Sequence, residues 1–146
     1  MTTESRISNI RKSLKKAFSA DSDIAAIYLF GSISRGEQNP LSDIDLGFLF
    51  SNTVGESAYF DRRLQLIGQC QSLLHFSPVE VVILNNVSLV LGHRIIARGE
   101  ILFDADPEYR VQFETRLISR YLDFLPILRV QQQSLYKRIL EEPALG

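Results

Sequence analysis

The chain has 146 residues, which is enough for one domain with its own hydrophobic core. A formal net charge of −1 provides no global positive field, so we expect no direct binding of nucleic acid. The single cysteine, Cys70, excludes an internal disulfide and a cysteine-based zinc site. No run of about 18 apolar residues predicts a membrane span, and the N-terminal residues lack a signal-peptide pattern. We therefore expect a cytoplasmic protein that does not associate with membranes.

Hydrophobic periodicity predicts an alternation of helices and strands. In chain order, the predicted elements are a helix over 5–19, strands over 23–30 and 43–50, a helix over 57–75, a strand over 78–84, a helix over 87–98, a strand over 100–104, a helix from 107 to about 124 and a last helix to about 142. This order is typical of an α/β or α+β domain in which helices cover a small mixed β-sheet. We expect a single domain over 1–146, with a core over about 24–104 and C-terminal helices over about 107–142.

Several local signals refine these elements. On the helix over 57–75, the expected apolar face comprises Phe60, Leu64, Ile67 and Leu74. Asn86 is the predicted N-cap of the helix over 87–98, and Gly99 is expected to end it. Asp106 and Pro107 are typical of a helix start, whereas Pro126 is expected to interrupt the C-terminal helix. Cys70 is expected in the core.

Two acidic residues occupy a segment that otherwise reads as a buried strand. The segment is FGSISRGEQNPLSDIDLGFLF, residues 30–50, and the acids are Asp43 and Asp45. Because residues i and i+2 of a strand point to the same face, the two carboxylates project side by side, roughly 6.6 Å apart along the strand. Such a pair is repulsive, and burying it is costly, unless a divalent cation such as Mg²⁺ or Mn²⁺ binds to the oxygens. The pattern therefore predicts a metal site.

A glycine turn lies between the first two predicted strands. Gly31 and Ser32 follow the first strand directly, and a residue without a side chain lets backbone N–H groups approach an anion closely. The Ser32 hydroxyl adds a donor, and Arg35 could clamp phosphate oxygens. Together with the acidic pair, this turn predicts a triphosphate site beside a metal site, suited to an in-line displacement.

Glu80 is the best candidate for a third carboxylate. It lies in the middle of the strand PVEVVIL, residues 78–84, on the face opposite Val81 and Ile83. A charged residue at that position needs a partner, and a neighbouring strand that carries Asp43 and Asp45 would provide one through a shared metal ion. The alternatives are an exposed edge-strand residue and an ion pair with an arginine.

The spacing Gly31-Ser32, ten residues, then Asp43-x-Asp45 resembles the signature of the polymerase-β-type nucleotidyltransferases. The segment GSISRGEQNPLSDIDL is similar to that of the minimal nucleotidyltransferases, and the resemblance extends over roughly residues 24–130, through VEVVIL and the RLISRYLDFLPILR helix. That helix is similar to one in the antitoxins of MNT/HEPN (MntA/HepT) toxin–antitoxin pairs.

The resemblance implies a polymerase-β-like fold and an enzyme that uses ATP and Mg²⁺, with two ions, to transfer AMP to a tyrosine of a HEPN ribonuclease toxin. It implies a nucleotide contact at Gly31 and Ser32, catalytic metal binding at Asp43 and Asp45, and a third carboxylate, also metal-binding, at Glu80. Members of the family often have Asp at this third place and another acid three residues later. Here those residues are Glu80 and Ile83.

Two other functions are open on the sequence. The same chemistry could act on the hydroxyl of a small molecule, as in aminoglycoside nucleotidyltransferases, although these usually have an added domain that shapes the acceptor pocket. A non-catalytic antitoxin would neutralise its partner by binding alone, but binding alone does not require a Gly-Ser turn and three carboxylates.

Overall fold

The computed structural model describes residues 2–34, 36, 43–75 and 77–141, with only the backbone for 32 and 33. Arg35 lies outside the described residues. The elements are helix α1 (Thr3–Phe18), strand β1 (Ile24–Phe30), the single helical turn α2 (Gly31–Ser34), strand β2 (Ile44–Phe50), a 3-10 turn (Glu56–Ala58), helix α3 (Tyr59–Leu73), strand β3 (Val79–Ile83), helix α4 (Leu89–Arg98), strand β4 (Glu100–Asp104) and helix α5 (Pro107–Glu141).

The four strands form one sheet in the order β3-β2-β1-β4. Strand β1 pairs antiparallel with both β2 and β4. Strand β2 pairs in parallel with β3, and helix α3 provides the longer crossover that a parallel pair requires. The prediction of a mixed sheet covered by helices is confirmed.

Each face of the sheet carries its own apolar core. Helices α1 and α3 cover the first face, whose core is built from alternate strand residues; it contains Ile27, Leu29, Ile44, Leu46, Phe48, Phe50, Val81 and Ile83 together with Leu14, Phe18, Leu66 and Cys70 from the helices. Helices α4 and α5 cover the second face, whose core contains Tyr28, Leu49, Leu84 and Ile95. The alternation of β2 therefore turns Leu46 and Phe48 away from the face to which Asp45 belongs.

The apolar face predicted for α3 is wrong in part. Phe60 and Leu64 are 68% and 51% exposed, whereas Leu66 and Cys70 are fully buried. The prediction holds for Leu74, which is buried, and for Ile67, which is half-buried against the core. Both the predicted and the observed stripe recur at helical spacing, so periodicity alone could not select between them. The burial predicted for Cys70 is confirmed.

Helix α4 begins two residues later than predicted. Ser88, not Asn86, is the N-cap, and its side chain accepts a hydrogen bond from the Leu91 N–H at 3.2 Å. The Asn86 N–H donates to the Ile83 carbonyl at 3.2 Å and so closes the turn that leaves β3. Asn86 was a reasonable cap by residue type, but the chain needs those residues to leave the sheet first.

Helix α5 is continuous over 35 residues, and the predicted interruption at Pro126 is wrong. A proline inside a helix removes one hydrogen bond, to the carbonyl four residues earlier. Here that residue is Leu122, which is 58% exposed, so water can reach this side of the helix. The predicted start is confirmed, because Asp106 accepts a hydrogen bond from the Tyr109 N–H at 3.2 Å and Pro107 is the first helical residue.

Among the residues the structure describes, no helix combines the length and the apolar composition that a membrane crossing requires.

Candidate active site

The strand register sets Asp45 and Glu80 next to each other. Asp45 is the pairing partner of Glu80 on β3, and on its other side it is the partner of Phe30, the last residue of β1. Paired residues point to the same face of a sheet, so both carboxylates project from the second face, opposite the core residues Leu46 and Val81. Glu80 is exposed at the edge strand, as one of the alternatives above required, yet it directly neighbours the Asp-x-Asp strand.

Asp43 immediately precedes β2 and is exposed. It lies two residues before Asp45, at the end of the sheet where β2 and β3 begin and β1 ends. The three predicted carboxylates thus share one end of the sheet, on strands or strand ends whose positions are fixed by backbone hydrogen bonds.

Gly31 allows the turn after β1 to come close to Asp45. Its φ is +78°, a left-handed conformation that glycine adopts without penalty. A Cβ at this position would overlap the Oδ2 atom of Asp45 and lie 3.0 Å from its Cγ. Sequence reasoning assigned Gly31 only to the approach of phosphate; the structure adds that the missing side chain is what leaves room for the Asp45 carboxylate.

The turn α2 begins at Gly31, and the Ser34 hydroxyl donates to the Gly31 carbonyl at 3.2 Å. The backbone of Ser32 belongs to this turn, which follows β1 at the carboxylate end of the sheet. The predicted nucleotide contact of Arg35 falls outside the described residues.

The three predicted ligands do not converge into a ready-made cage. Within the described ranges, no three His, Cys, Asp or Glu side chains are close enough together to hold a metal ion. Mg²⁺ in nucleotide enzymes usually binds to one or two carboxylates and completes its coordination with substrate phosphates and water. Same-face oxygen donors beside an open glycine turn fit that kind of ion.

A partly buried polar network joins α5 to the same face of the sheet. The Tyr28 hydroxyl donates to Glu114, and Arg110 binds Asp104 at 2.9 Å and Glu114 at 3.1 Å. Burial, followed by the hydrogen bond with Glu114, raises the pKa of Tyr28 well above its usual value, so the phenol is a permanent donor. Sequence reasoning missed this network, although an i, i+4 pair of Arg110 and Glu114 in the first turns of a helix was a signal for it.

Known proteins share this fold. A family model described as polymerase beta, nucleotidyltransferase matches residues 12–108, a range that contains the glycine turn, Asp43, Asp45 and Glu80. The chain belongs to the polymerase-β nucleotidyltransferase family.

The chain is also similar to an individual nucleotidyltransferase of known activity. Protein adenylyltransferase MntA of Shewanella oneidensis MR-1 is 35% identical over 95 residues, which cover 65% of this chain and 64% of that protein. The aligned part is thus a little less than two thirds of the relative's own length.

Solved structures cover more of the chain. One, of a toxin–antitoxin with AMP-PNP, matches at a TM-score of 0.64 and 28% identity, over 92% of this chain and 98% of that one. Another, of a tri-AMPylated HEPN toxin from Shewanella oneidensis in complex with an MNT antitoxin, matches at 0.60 and 25% identity, over 95% and 99%. The polymerase-β-like fold expected from the sequence is confirmed.

Proposed function

We propose that this nucleotidyltransferase is an antitoxin that transfers AMP from ATP to a tyrosine hydroxyl of a HEPN ribonuclease toxin and thereby neutralises it. The observation that carries the proposal is the register of β2, which places Asp45 beside Glu80 and against the turn of Gly31. Carboxylates at the mouth of a glycine turn suit a nucleoside triphosphate and its metal ions. The toxin partner is proposed from the names of the relatives: a protein adenylyltransferase, and complexes with a HEPN toxin and with AMP-PNP.

The residues have separate roles. Asp43 and Asp45 would hold Mg²⁺, or Mn²⁺ in its place, with Glu80 as the third ligand of a two-ion site. When bound, such ions stabilise the negative charge that develops on the phosphates of ATP. The backbone N–H groups at Gly31 and Ser32 bind phosphate oxygens, and Arg35 is a further proposed phosphate contact.

The transfer itself forms one bond and breaks one. The tyrosine oxygen attacks the α-phosphorus of ATP, its proton passes to Glu80 or an adjacent aspartate, and the bond from the α-phosphorus to the bridging oxygen breaks. Pyrophosphate leaves, and the toxin carries AMP as a phosphodiester. The added negative charge repels RNA phosphates, which gives the loss of ribonuclease activity a physical cause.

The acceptor is best supplied by a folded partner. A hydroxyl presented on a protein surface is already oriented by docking, so the enzyme needs no second pocket of its own to position it. The C-terminal part of α5 provides a surface for docking, since residues 129–141 are all exposed and include Val130, Leu135 and Ile139.

The test is the mass of the partner. A candidate HEPN-family toxin is incubated with ATP, Mg²⁺ and this protein, and its intact mass is measured. We expect an increase by whole AMP units, located on tyrosine by peptide sequencing. Glu80→Gln should still bind the partner but abolish the increase, whereas the matched surface variant Asp61→Asn should retain it, because Asp61 is an exposed residue of α3.

Protection of cells by Glu80→Gln without any modification of the toxin would show neutralisation by binding alone. An unmodified partner together with AMP transfer to an aminoglycoside would show a small-molecule acceptor. Either result contradicts the proposal.

A further inference from the structure

The opposite end of the sheet from the carboxylates contains a polar cavity of about 430 Å³. In the β1–β2 ladder, Phe30 pairs with Asp45 at one end and Ile24 pairs with Phe50 at the other. Phe50 lies five residue steps along the strand from Asp45, which corresponds to roughly 16 Å. The cavity lies beyond Phe50, where the turn after β3 meets α3, α4 and α5, and it is therefore separate from the candidate active site.

The charged residues that line this cavity are all positive. Its charged lining residues are Arg116 and Arg120, one helical turn apart on α5, and no carboxylate belongs to the lining among the described residues. Among the described residues, neither guanidinium has an ion-pair partner, whereas Arg110 on the same helix binds both Asp104 and Glu114. Two unpaired arginines that face one cavity favour a ligand with more than one negative oxygen.

Hydroxyl groups and aromatic rings complete the walls. Tyr59 and Tyr109 line the cavity with Phe113, and Ser88 with Leu89 contributes the N-terminal end of α4. Burial and the nearby Tyr59 raise the pKa of Tyr109, so its hydroxyl remains a donor at neutral pH. The positive guanidinium of Arg116 acts on the same phenol, which indicates that both groups are close to each other.

Two lining residues of the cavity, Asn85 and Tyr59, contact Phe50 of β2. The Asn85 side chain accepts from the Phe50 N–H at 2.8 Å and donates to the Phe50 carbonyl at 3.1 Å. The rings of Phe50 and Tyr59 lie 5.5 Å apart. The aromatic wall is therefore anchored to the sheet, which lowers the ordering cost when a ligand binds.

We propose that this cavity binds a phosphate ester attached to a planar ring, with the size of a mononucleotide. The two arginines and the first turn of α4 bind the phosphate, and the aromatic residues contact the ring. The volume lies within the range of small-molecule sites and is far larger than a single phosphate requires. This inference is independent of the transfer reaction proposed above.

The probe is AMP, and calorimetry in EDTA measures its binding. Without divalent ions, Asp43 and Asp45 repel phosphate, so AMP binding to wild type should report this cavity, and the double variant Asp43→Asn/Asp45→Asn should retain it. We expect adenosine and orthophosphate each to bind about tenfold or more weakly than AMP, because each lacks one half of the recognised group.

Arg116→Gln/Arg120→Gln should weaken AMP binding by about tenfold or more, because charge-assisted hydrogen bonds to phosphate are lost. The matched control is Arg129→Gln/Arg138→Gln, which removes two exposed arginines from the same helix and should leave the affinity unchanged. All four arginines are exposed, so both variants should fold, and circular dichroism checks this. In wild type, amide NMR signals of residues 88–91 should shift on adding AMP.

Three results would overturn the inference. They are an equal loss of affinity in both arginine pairs, loss of AMP binding in the aspartate double variant, and binding of orthophosphate as tight as that of AMP. An AMP titration of wild type without heat or NMR shifts at millimolar concentration would do the same.

Discussion

The two ends of this sheet are built in different ways. At one end, Asp45 and Glu80 belong to paired strands, and Gly31 follows a third strand directly, so backbone ladders determine their positions. At the other end, Arg116 and Tyr59 come from separate helices and meet only through tertiary packing. The first end is acidic and carries the spacing from Gly31-Ser32 to Asp-x-Asp, while the second is basic. The proposed metal site is thus built on paired strands, whereas the cavity is built on packed helices.

The largest effect expected at the acidic end is that of Asp45→Asn. The amide keeps the shape of the side chain but removes the charge that would hold the metal ion, and such ions contribute several kcal/mol to transition-state stabilisation. AMP transfer should fall by roughly 10³-fold or more. Single-turnover assays at saturating Mg²⁺ measure this, with the exposed Asp61→Asn as the control. Transfer within about twofold of wild type would remove Asp45 from the catalytic set.

A smaller effect is expected from Gly31→Ala. The new Cβ would overlap the Asp45 carboxylate, which must move, and the φ of +78° adds strain of about 1–2 kcal/mol. AMP transfer should fall by about 10²-fold, a typical cost of misplacing a catalytic group by about 1 Å.

Gly36→Ala tests the effect of backbone strain without a steric overlap with Asp45. Gly36 has a φ of +75°, so it carries a similar backbone penalty, but a Cβ there would meet no atom of the described residues within 4 Å. Its loss of stability should resemble that of Gly31→Ala, while transfer should remain near wild type. A parallel fall of activity in both variants would mean that strain, not the overlap with Asp45, is responsible.

This contrast between the ends also explains what the sequence could predict. The period-two alternation of DIDLGFLF fixes which side chains share a face, and the Gly31-Ser32 to Asp-x-Asp spacing is local, so the acidic end could be predicted. The pairing of Asp45 with Glu80 also agrees with the expectation that neighbouring strands carry them.

The basic end could not be predicted in the same way. Tyr59, Asn85 and Arg116 are far apart in the chain, and no local pattern indicates that they meet. The errors on the helices have a related cause. Either stripe of α3 satisfies helical periodicity, and only contact with β-sheet residues selects the one with Leu66 and Cys70. At Pro126 the local rule failed because an exposed helix can lose one hydrogen bond to water.

Asn85→Ala should lower stability without changing catalysis. The substitution leaves the Phe50 N–H and carbonyl without their partners, which costs about 2 kcal/mol in the free energy of unfolding. Urea unfolding measures the loss, and Asn86→Ala is the matched control because Asn86 is exposed in the adjacent turn. AMP transfer should stay near wild type, since Asn85 lies at the basic end. A fall in transfer comparable to that of Gly31→Ala would show that the two ends are coupled.

The smallest effect is a change in how stability depends on pH. It comes from Cys70, in the core on the first face of the sheet. Burial raises the pKa of the Cys70 thiol from 9.0 to about 12. The folded protein therefore keeps the thiol proton while the unfolded chain releases it, so the contribution is complete below pH 9 and is lost as the pH rises from about 9 towards 12. At most this lowers the free energy of unfolding by about 1.4 kcal/mol per pH unit.

Cys70→Ala will be less stable at every pH because it creates a cavity, but between pH 8 and 10 its stability should decline less steeply than that of wild type. Tyr28 adds its own decline only towards pH 10 and above, and it does so equally in both proteins. Urea unfolding at half-unit steps of pH measures the two slopes, and identical slopes would mean that the thiol ionises as readily in the folded protein as in the unfolded chain.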